Sequence, residues 1–111
     1  MHNDFLHQIP IRNIEWEINP ETDFVVLKKP KFQHPWLKKY LLPKLKNQYY
    51  RIKLDKIGTF VWQKIDGKHN VDYIAKALES HFGDEVRPVN ERLAKFIFSL
   101  HRSQFIKFSQ K

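Results

Sequence analysis

The chain contains no cysteine among its 111 residues. Disulfide bonds, iron–sulfur clusters, cysteine-based zinc sites and thiol nucleophiles are therefore excluded. No apolar run approaches the roughly 18 residues of a membrane-spanning helix. The first ten residues, MHNDFLHQIP, also lack the basic and apolar regions of a secretory signal. We therefore expect a cytoplasmic protein with no membrane partner.

Glycine is scarce, with only three residues, and neither a low-complexity tract nor an internal repeat occurs. Apolar residues make up 41% of the chain and aromatic residues 14%, which is enough to build a hydrophobic core. The length suits one domain and is hardly enough for two. These features together predict a single folded domain.

Catalytic motifs are missing as well. The sequence has no P-loop, no GxGxxG and no GxSxG, and no two of its six histidines have metal-ligand spacing on one helix face. Glu15 and Glu17 form the closest carboxylate pair of a strand, but both are expected on its exposed face. We therefore predict a binding protein that is not an enzyme, with no catalytic residue, metal or cofactor.

Positive charge is abundant but concentrated in one segment. The chain has a net charge of +8; residues 1–27 carry one basic and five acidic groups, and residues 57–111 carry nine basic and six acidic groups. Residues 28–56 carry ten Lys or Arg against Asp55 alone, a net charge of +9. Such a segment favours an acidic partner, although a solvated, lysine-rich loop that maintains solubility explains it equally well.

Three stretches have the pattern of β-strands. NIEWEI alternates apolar and acidic residues, FVVLKKP ends at Pro30, and YYRIKL alternates Tyr50, Ile52 and Leu54 with Arg51 and Lys53. Residues 31–48, between the second and third strands, form a basic insertion in which Leu37, Tyr40 and Leu41 could line a short helix. Pro43 would kink or end that helix.

Three helical patterns follow. Asp55 and Asn70 are expected to cap the first and second helices, and Gly67 and Gly83 to end them. Pro88 suits the first turn of the third helix. The apolar residues with helical spacing are Ile57, Phe60, Val61, Ile65, Val71, Ile74, Ala75, Leu78, Phe82, Val89, Leu93, Phe96, Ile97 and Leu100.

The element order predicts an α+β fold, a three-stranded antiparallel sheet followed by three helices. Short helices with tight turns after a sheet are typical of a small winged-helix-like domain. We place the domain at residues 12–108, with residues 1–11 as an N-terminal tail. Phe105 and Ile106 are expected to return the chain to the core.

Several motifs occur in a characteristic order in the second half of the chain. They are LD-x-x-G-x-x-VW from Leu54 to Trp62, DGK from Asp66 to Lys68, V-x-x-IA-x-x-L from Val71 to Leu78 and RL-x-x-F-x-x-x-L from Arg92 to Leu100. In this order and spacing they resemble the PqqD family, the peptide chaperones of PQQ biosynthesis and related pathways. The resemblance covers about residues 12–108. The segment Lys31 to Gln48 is longer than the short turn usual in that family, which leaves the identity of the modified peptide open.

The resemblance implies a peptide chaperone, a recognition element for ribosomally made precursor peptides. The leader segment of the precursor would add as a strand and be presented to a modifying enzyme, often a radical SAM enzyme. The resemblance implies that the leader lies along the third strand and against the third helix. The corresponding peptide-binding residues are Tyr50, Arg51, Ile52, Lys53, Leu54, Arg92, Lys95, Phe96 and Ser99.

The residues themselves are compatible with this mechanism. If YYRIKL is an edge strand, its unpaired backbone groups can take up another chain, and Arg51 and Lys53 could select an acidic peptide. The alternative is that these cations only protect the edge from aggregation.

Two other classes of function stay open. Basic charge and three helices also fit a winged-helix protein that binds nucleic acid, but most of the charge precedes the helices, so we expect no nucleic-acid partner. The edge strand and the insertion could instead join two copies of the chain in an oligomerising structural module, which makes a homodimer possible.

Overall fold

The computed structural model describes residues 2–31 and 34–109. The chain divides into two compact units. We call Ile14–Asp55 the sheet unit, and Met1–Asn13 with Lys56–Lys111 the helical unit. The predicted mixed α+β class is confirmed, with a three-stranded antiparallel sheet and several helices. The winged-helix likeness stays a prediction.

The sheet unit contains the three predicted strands. They are β2 (Glu15–Ile18), β3 (Val25–Pro30) and β4 (Tyr49–Lys53), arranged in the order β2–β3–β4. Both neighbouring pairs are antiparallel, and Leu27 lies opposite Trp16 on one side and Ile52 on the other. Three consecutive residues of the central strand, Val25 to Leu27, are buried. Burial on both faces is consistent with the central position of β3.

The insertion between β3 and β4 is helical in part. It contains α2 (Pro35–Tyr40) and a 3₁₀ turn (Leu42–Lys44). The short helix ends shortly before Pro43, as the sequence indicates, because proline lacks the N–H that would continue it. At the base of the insertion the backbone N–H of Lys31 donates to the carbonyl of Gln48 at 3.0 Å, which extends the β3–β4 ladder.

The helical unit contains the other three predicted helices. They are α3 (Lys56–Lys64), α4 (Val71–Phe82) and α5 (Val89–Arg102). Asn70 caps α4 as predicted, because its side chain accepts a hydrogen bond from the N–H of Tyr73 at 2.8 Å. Gly83 ends α4 with a φ of 64°, a conformation that glycine adopts without a steric penalty. By contrast, α3 ends three residues before Gly67.

The buried side chains of these helices largely follow the predicted pattern. Five of the predicted residues are only half-buried: Ile57, Phe60, Phe82, Val89 and Phe96. Trp62, which lies off the predicted stripe, is fully buried and cannot stack on a nucleobase. Phe105 and Ile106 reach the core as expected. The buried apolar residues of the three helices are Val61, Trp62, Val71, Ile74, Ala75, Leu78, Leu93, Ile97 and Leu100.

Three short elements of the helical unit were not predicted. They are α1 (His2–His7), β1 (Pro10–Arg12) and β5 (Ile106–Phe108). β1 pairs with β5 in antiparallel fashion, with Ile11 opposite Lys107, so a strand near each end of the chain closes this unit. Within the described ranges, no helix is both long enough and apolar enough to cross a bilayer.

Candidate functional site

β4 forms one edge of the three-stranded sheet, with β3 as its neighbour on one side. Hydrogen bonds at both ends of the ladder fix which backbone groups face outward: Leu54 donates to Val25 at 2.9 Å, and Lys31 donates to Gln48. Because hydrogen-bonded pairs alternate in an antiparallel ladder, the even-numbered residues of β4 bond to β3. The N–H and C=O groups of Tyr49, Arg51 and Lys53 therefore point to the free edge.

The side chains of β4 also divide by face. Arg51 and Lys53 are exposed, whereas Ile52 and Leu54 are half-buried, as the alternation predicts. Tyr50 lies on the same face as Ile52 but remains 55% exposed. Its ring has the ammonium group of Lys31 at 5.5 Å from the centroid, a cation–π contact. An incoming chain at this edge would thus meet exposed cations on one face and aromatic and aliphatic surface on the other.

Arg51 does not stand alone on its face of the sheet. Its guanidinium donates to the carboxylate of Glu17, two strands away on β2, and Lys28 lies 3.9 Å from the same carboxylate. The hydrogen bond from Arg51, reinforced by the positive charges of Arg51 and Lys28, lowers the pKa of Glu17 below its usual value. Lys53, by contrast, forms no ion pair with any described residue. The two cations of β4 are therefore not equivalent.

The predicted helix residues form a stripe along α5. Arg92, Lys95, Phe96 and Ser99 have the spacing i, i+3, i+4, i+7, which places them on one side of the helix. Phe96 is half-buried and the other three are exposed. The buried residues Leu93, Ile97 and Leu100 occupy the adjacent side. The stripe thus combines an accessible aromatic ring with two cations.

Arg92 is fixed within the helical unit. Its guanidinium donates to the backbone carbonyl of Glu85 at 2.6 Å, in the 3₁₀ turn Gly83–Val86 that precedes α5. Phe98 is 48% exposed, but it lies outside the stripe. Its ring packs against that of Phe5, with the two ring centroids 4.7 Å apart. Lys95 has no ion pair among the residues that the structure describes, so it is the cation of the stripe most available to a ligand.

The predicted site residues thus lie in two places. Tyr50 to Leu54 belong to the sheet unit, and the α5 stripe belongs to the helical unit. That both sets contact one peptide stays a prediction. In the described part of the chain, no group of three or more His, Asp or Glu side chains could hold a metal ion.

Sequence reasoning missed two contributors to the edge. The backbone N–H and C=O of Tyr49 face outward. This becomes evident only when it is known which residues of β4 bond to β3. Glu17 was expected only on the exposed face of its strand, yet its carboxylate pairs with the guanidinium of Arg51. The alternation of NIEWEI places Glu17 on the polar face of its strand, and a polar face shared with β4 was the available signal.

Comparison with known proteins adds one match. The family model for coenzyme PQQ synthesis protein D (PqqD) matches residues 38–106, which is well over half of the 111 residues. The matched range contains β4 and all of α3, α4 and α5. No curated protein and no solved structure is significantly similar to the chain.

Proposed function

This chain belongs to the PqqD family, and from that premise we propose that it is a non-catalytic peptide chaperone. It binds the leader segment of a ribosomally made precursor peptide by strand addition. It then presents the precursor to a modifying enzyme, a radical SAM enzyme in the simplest case. Family membership alone supports the coarser statement, an accessory or peptide-binding role of the kind needed in PQQ biosynthesis.

The free edge of β4 carries the proposal. Three outward-facing residues, Tyr49, Arg51 and Lys53, offer N–H and C=O groups to an extended chain, and such groups provide the affinity in β-augmentation. A leader lying antiparallel to β4 would extend the sheet by one strand. Exposed charge pairs contribute only about 0–1 kcal/mol each, so main-chain pairing and an apolar anchor supply most of the binding free energy.

The α5 stripe is the second surface that we assign to the leader. Phe96 offers a half-buried ring as the apolar anchor, and Lys95 offers an exposed cation beside it. The ring of Phe96 has no nucleophilic or proton-transferring group, and none of the described ion pairs or hydrogen bonds engages the Lys95 ammonium with a base. The chemistry of the pathway would therefore belong to the enzyme that receives the peptide.

Strand addition can be tested because the odd-numbered residues of β4 point their backbone groups outward and the even-numbered residues bond to β3. A proline at position 53 removes an outward N–H and leaves the ladder to β3 intact, whereas a proline at position 52 removes a bond within the sheet. Lys53→Pro should therefore weaken binding of the leader at least about tenfold, because it removes a main-chain hydrogen bond between the edge and the leader. The ligand would be the leader of a precursor peptide encoded beside this gene, and calorimetry would measure its affinity.

Lys53→Ala is the matched control, since it removes the same side chain and retains the N–H. It should bind within about fivefold of the wild type. Circular dichroism must show that both variants are folded. If Lys53→Pro and Lys53→Ala bind equally well, or if amide shifts on titration are confined to residues outside β4 and α5, strand addition at this edge is wrong.

A further inference from the structure

The insertion presents an amphipathic helix whose apolar side faces solvent. Trp36, Leu37, Tyr40 and Leu41 follow the spacing i, i+1, i+4, i+5, which is an arc of about 140° on a helical wheel. Trp36 is 57% exposed, Tyr40 49% and Leu41 38%, and no residue of α2 is buried. An amphipathic helix normally buries such a side. This one is left open.

Local contacts hold this helix in shape. His34 caps it, with its Nδ1 accepting from the N–H of Trp36 at 3.2 Å, and Leu41 donates to the carbonyl of Leu37 at 2.8 Å. The rings of Trp36 and Tyr40 contact each other, with centroids 5.5 Å apart. Leu42, which follows directly, is buried and anchors the segment. The exposed apolar side is thus a formed surface.

Positive charge surrounds this surface without any acidic residue. Lys38 and Lys39 lie on the polar side of α2, away from the middle of the apolar arc, and Lys44 and Lys46 follow the helix; all four are exposed. Residues 28–54 contain no Asp or Glu. None of the ion pairs among the described residues involves a lysine of residues 34–46. The segment therefore complements an anionic surface.

The residue types distinguish between anionic partners. Protein interfaces are depleted in lysine, and arginine is preferred where phosphate groups are bound bidentately, yet every cation of residues 34–46 is a lysine. Tryptophan and tyrosine with leucine on one side, and lysine on the other, are typical of helices that lie in a bilayer interface. We propose that residues 34–46 bind an anionic lipid bilayer, with α2 in the plane of the headgroups.

In this arrangement Trp36, Tyr40 and the leucines enter the headgroup boundary. The four lysines contact anionic headgroups, which attract basic residues within about a Debye length of the surface. The expectation of no membrane partner rested on the lack of a spanning segment, and a helix that lies on the surface requires none. The proposal does not depend on the peptide-binding function.

Co-flotation of the full chain with vesicles tests the proposal. The protein should float with vesicles of equal amounts of phosphatidylcholine and phosphatidylglycerol, and remain behind with pure phosphatidylcholine. Trp36→Ser with Tyr40→Ser should lower the partition coefficient at least about tenfold, because it removes the aromatic anchors. Lys38→Glu with Lys39→Glu should lower it comparably, and added salt should do the same.

The matched controls are substitutions of exposed residues in the helical unit. Tyr73→Ser removes an exposed ring, and Lys68→Glu with Lys107→Glu makes the same change in net charge; both should float like the wild type. Fluorescence should locate the contact, since brominated lipid should quench the wild type more than Trp36→Phe.

Several outcomes would overturn the proposal. They are failure to float with anionic vesicles, equal flotation of the α2 variants and the wild type, and equal flotation with neutral vesicles. If light scattering shows a dimer that Trp36→Ser with Tyr40→Ser converts to monomers, the surface joins two copies of this chain instead.

Discussion

At the scale of single residues, the two cations of β4 have different roles. Arg51 and Lys53 point to the same face, but Arg51 is engaged by Glu17 while Lys53 has no acidic partner among the described side chains. A carboxylate brought by a leader peptide would have to compete with Glu17 for Arg51. Lys53 can pair with the carboxylate of the leader directly. We therefore expect Lys53 to contribute more to the selection of acidic peptides than Arg51.

Removing the charge of Glu17 should release Arg51 for the peptide. We expect Glu17→Gln to raise the affinity for an acidic leader by up to about fivefold, because an exposed pair gains little in water. Calorimetry with the same leader would measure the change. Glu15→Gln is the control: it lies on the same strand and face, and removes an equal charge without a described ion pair. Equal gains for both variants would mean that overall charge, and not Arg51, is responsible.

The pH dependence of this effect follows from the lowered pKa of Glu17. For a carboxyl whose pKa is depressed on folding, the pair is intact above the unfolded value and is lost as the pH falls through the folded value. Because its pKa lies below the ordinary value of a glutamate, Glu17 stays ionised at pH 6 and above. The gain from Glu17→Gln should be the same at pH 6 and pH 8, and a gain that vanishes toward pH 6 would contradict this assignment.

The sequence predicts which face each side chain of β4 takes, but not how those side chains pair with the other strands. The alternation in YYRIKL correctly separates exposed Arg51 and Lys53 from half-buried Ile52 and Leu54, since faces alternate along a strand. The contact between Arg51 and Glu17 depends on the register of two strands that are not neighbours. Hydrophobic spacing sets which face each residue takes and leaves that register open.

At the scale of elements, α4 shows that local sequence signals can suffice to predict a helix. Asn70 at its start, Gly83 at its end and apolar residues at helical spacing between them define α4 before any tertiary contact is known. The same signals locate α3 and α5 to within a few residues. The end of α3 is the exception, because Gly67 lies in the following loop, where it adopts a φ of 79°.

The cap of α4 should be measurable in the stability of the protein. Asn70→Ala should lower the free energy of unfolding by about 1 kcal/mol, because the N–H of Tyr73 loses its acceptor. Urea denaturation would measure the loss. Asn70→Asp should restore most of it, since aspartate caps equally well and its charge suits a helix N-terminus. Asn90→Ala, at an exposed position inside α5, should cost much less; an equal cost would show that the cap is unimportant.

The three elements that sequence patterns did not reveal share a physical reason. β1 and β5 have three residues each, too few for alternation to be distinguished from chance, and they pair across almost the whole chain. α1 has six residues, less than two full turns. Such elements depend on the tertiary contacts that surround them, and local propensity predicts them poorly.

At the scale of the whole molecule, charge is arranged across the sheet. The acidic strand β2 and the basic strand β4 lie on opposite sides of β3, so the asymmetry along the sequence becomes a difference between two edges. Two copies that paired through their β4 edges would bring Arg51 and Lys53 close to cations of the same kind, and like charges in facing positions destabilise such pairing. A homodimer joined through this edge is therefore disfavoured.

The same asymmetry predicts how fast an acidic peptide should arrive. Residues 28–56 carry a net charge of +9, and a field of one sign accelerates the encounter with an opposite charge more than it slows dissociation. We expect the association rate of an acidic leader to fall about tenfold as the salt concentration rises from about 10 to 150 mM, over which the Debye length shrinks from about 30 to 8 Å. Stopped-flow fluorescence with a labelled leader would measure it.

The control is the same leader with its acidic residues changed to their amides, whose association rate should hardly depend on salt. Changing Lys38, Lys39, Lys44 and Lys46 to glutamine should flatten the salt dependence for the acidic leader. Changing Lys68 and Lys107 to glutamine should alter the salt dependence of the association rate less, because these lysines lie outside the basic segment. If the acidic and amidated leaders show the same slope, the basic segment does not steer the peptide, and its charge serves another partner.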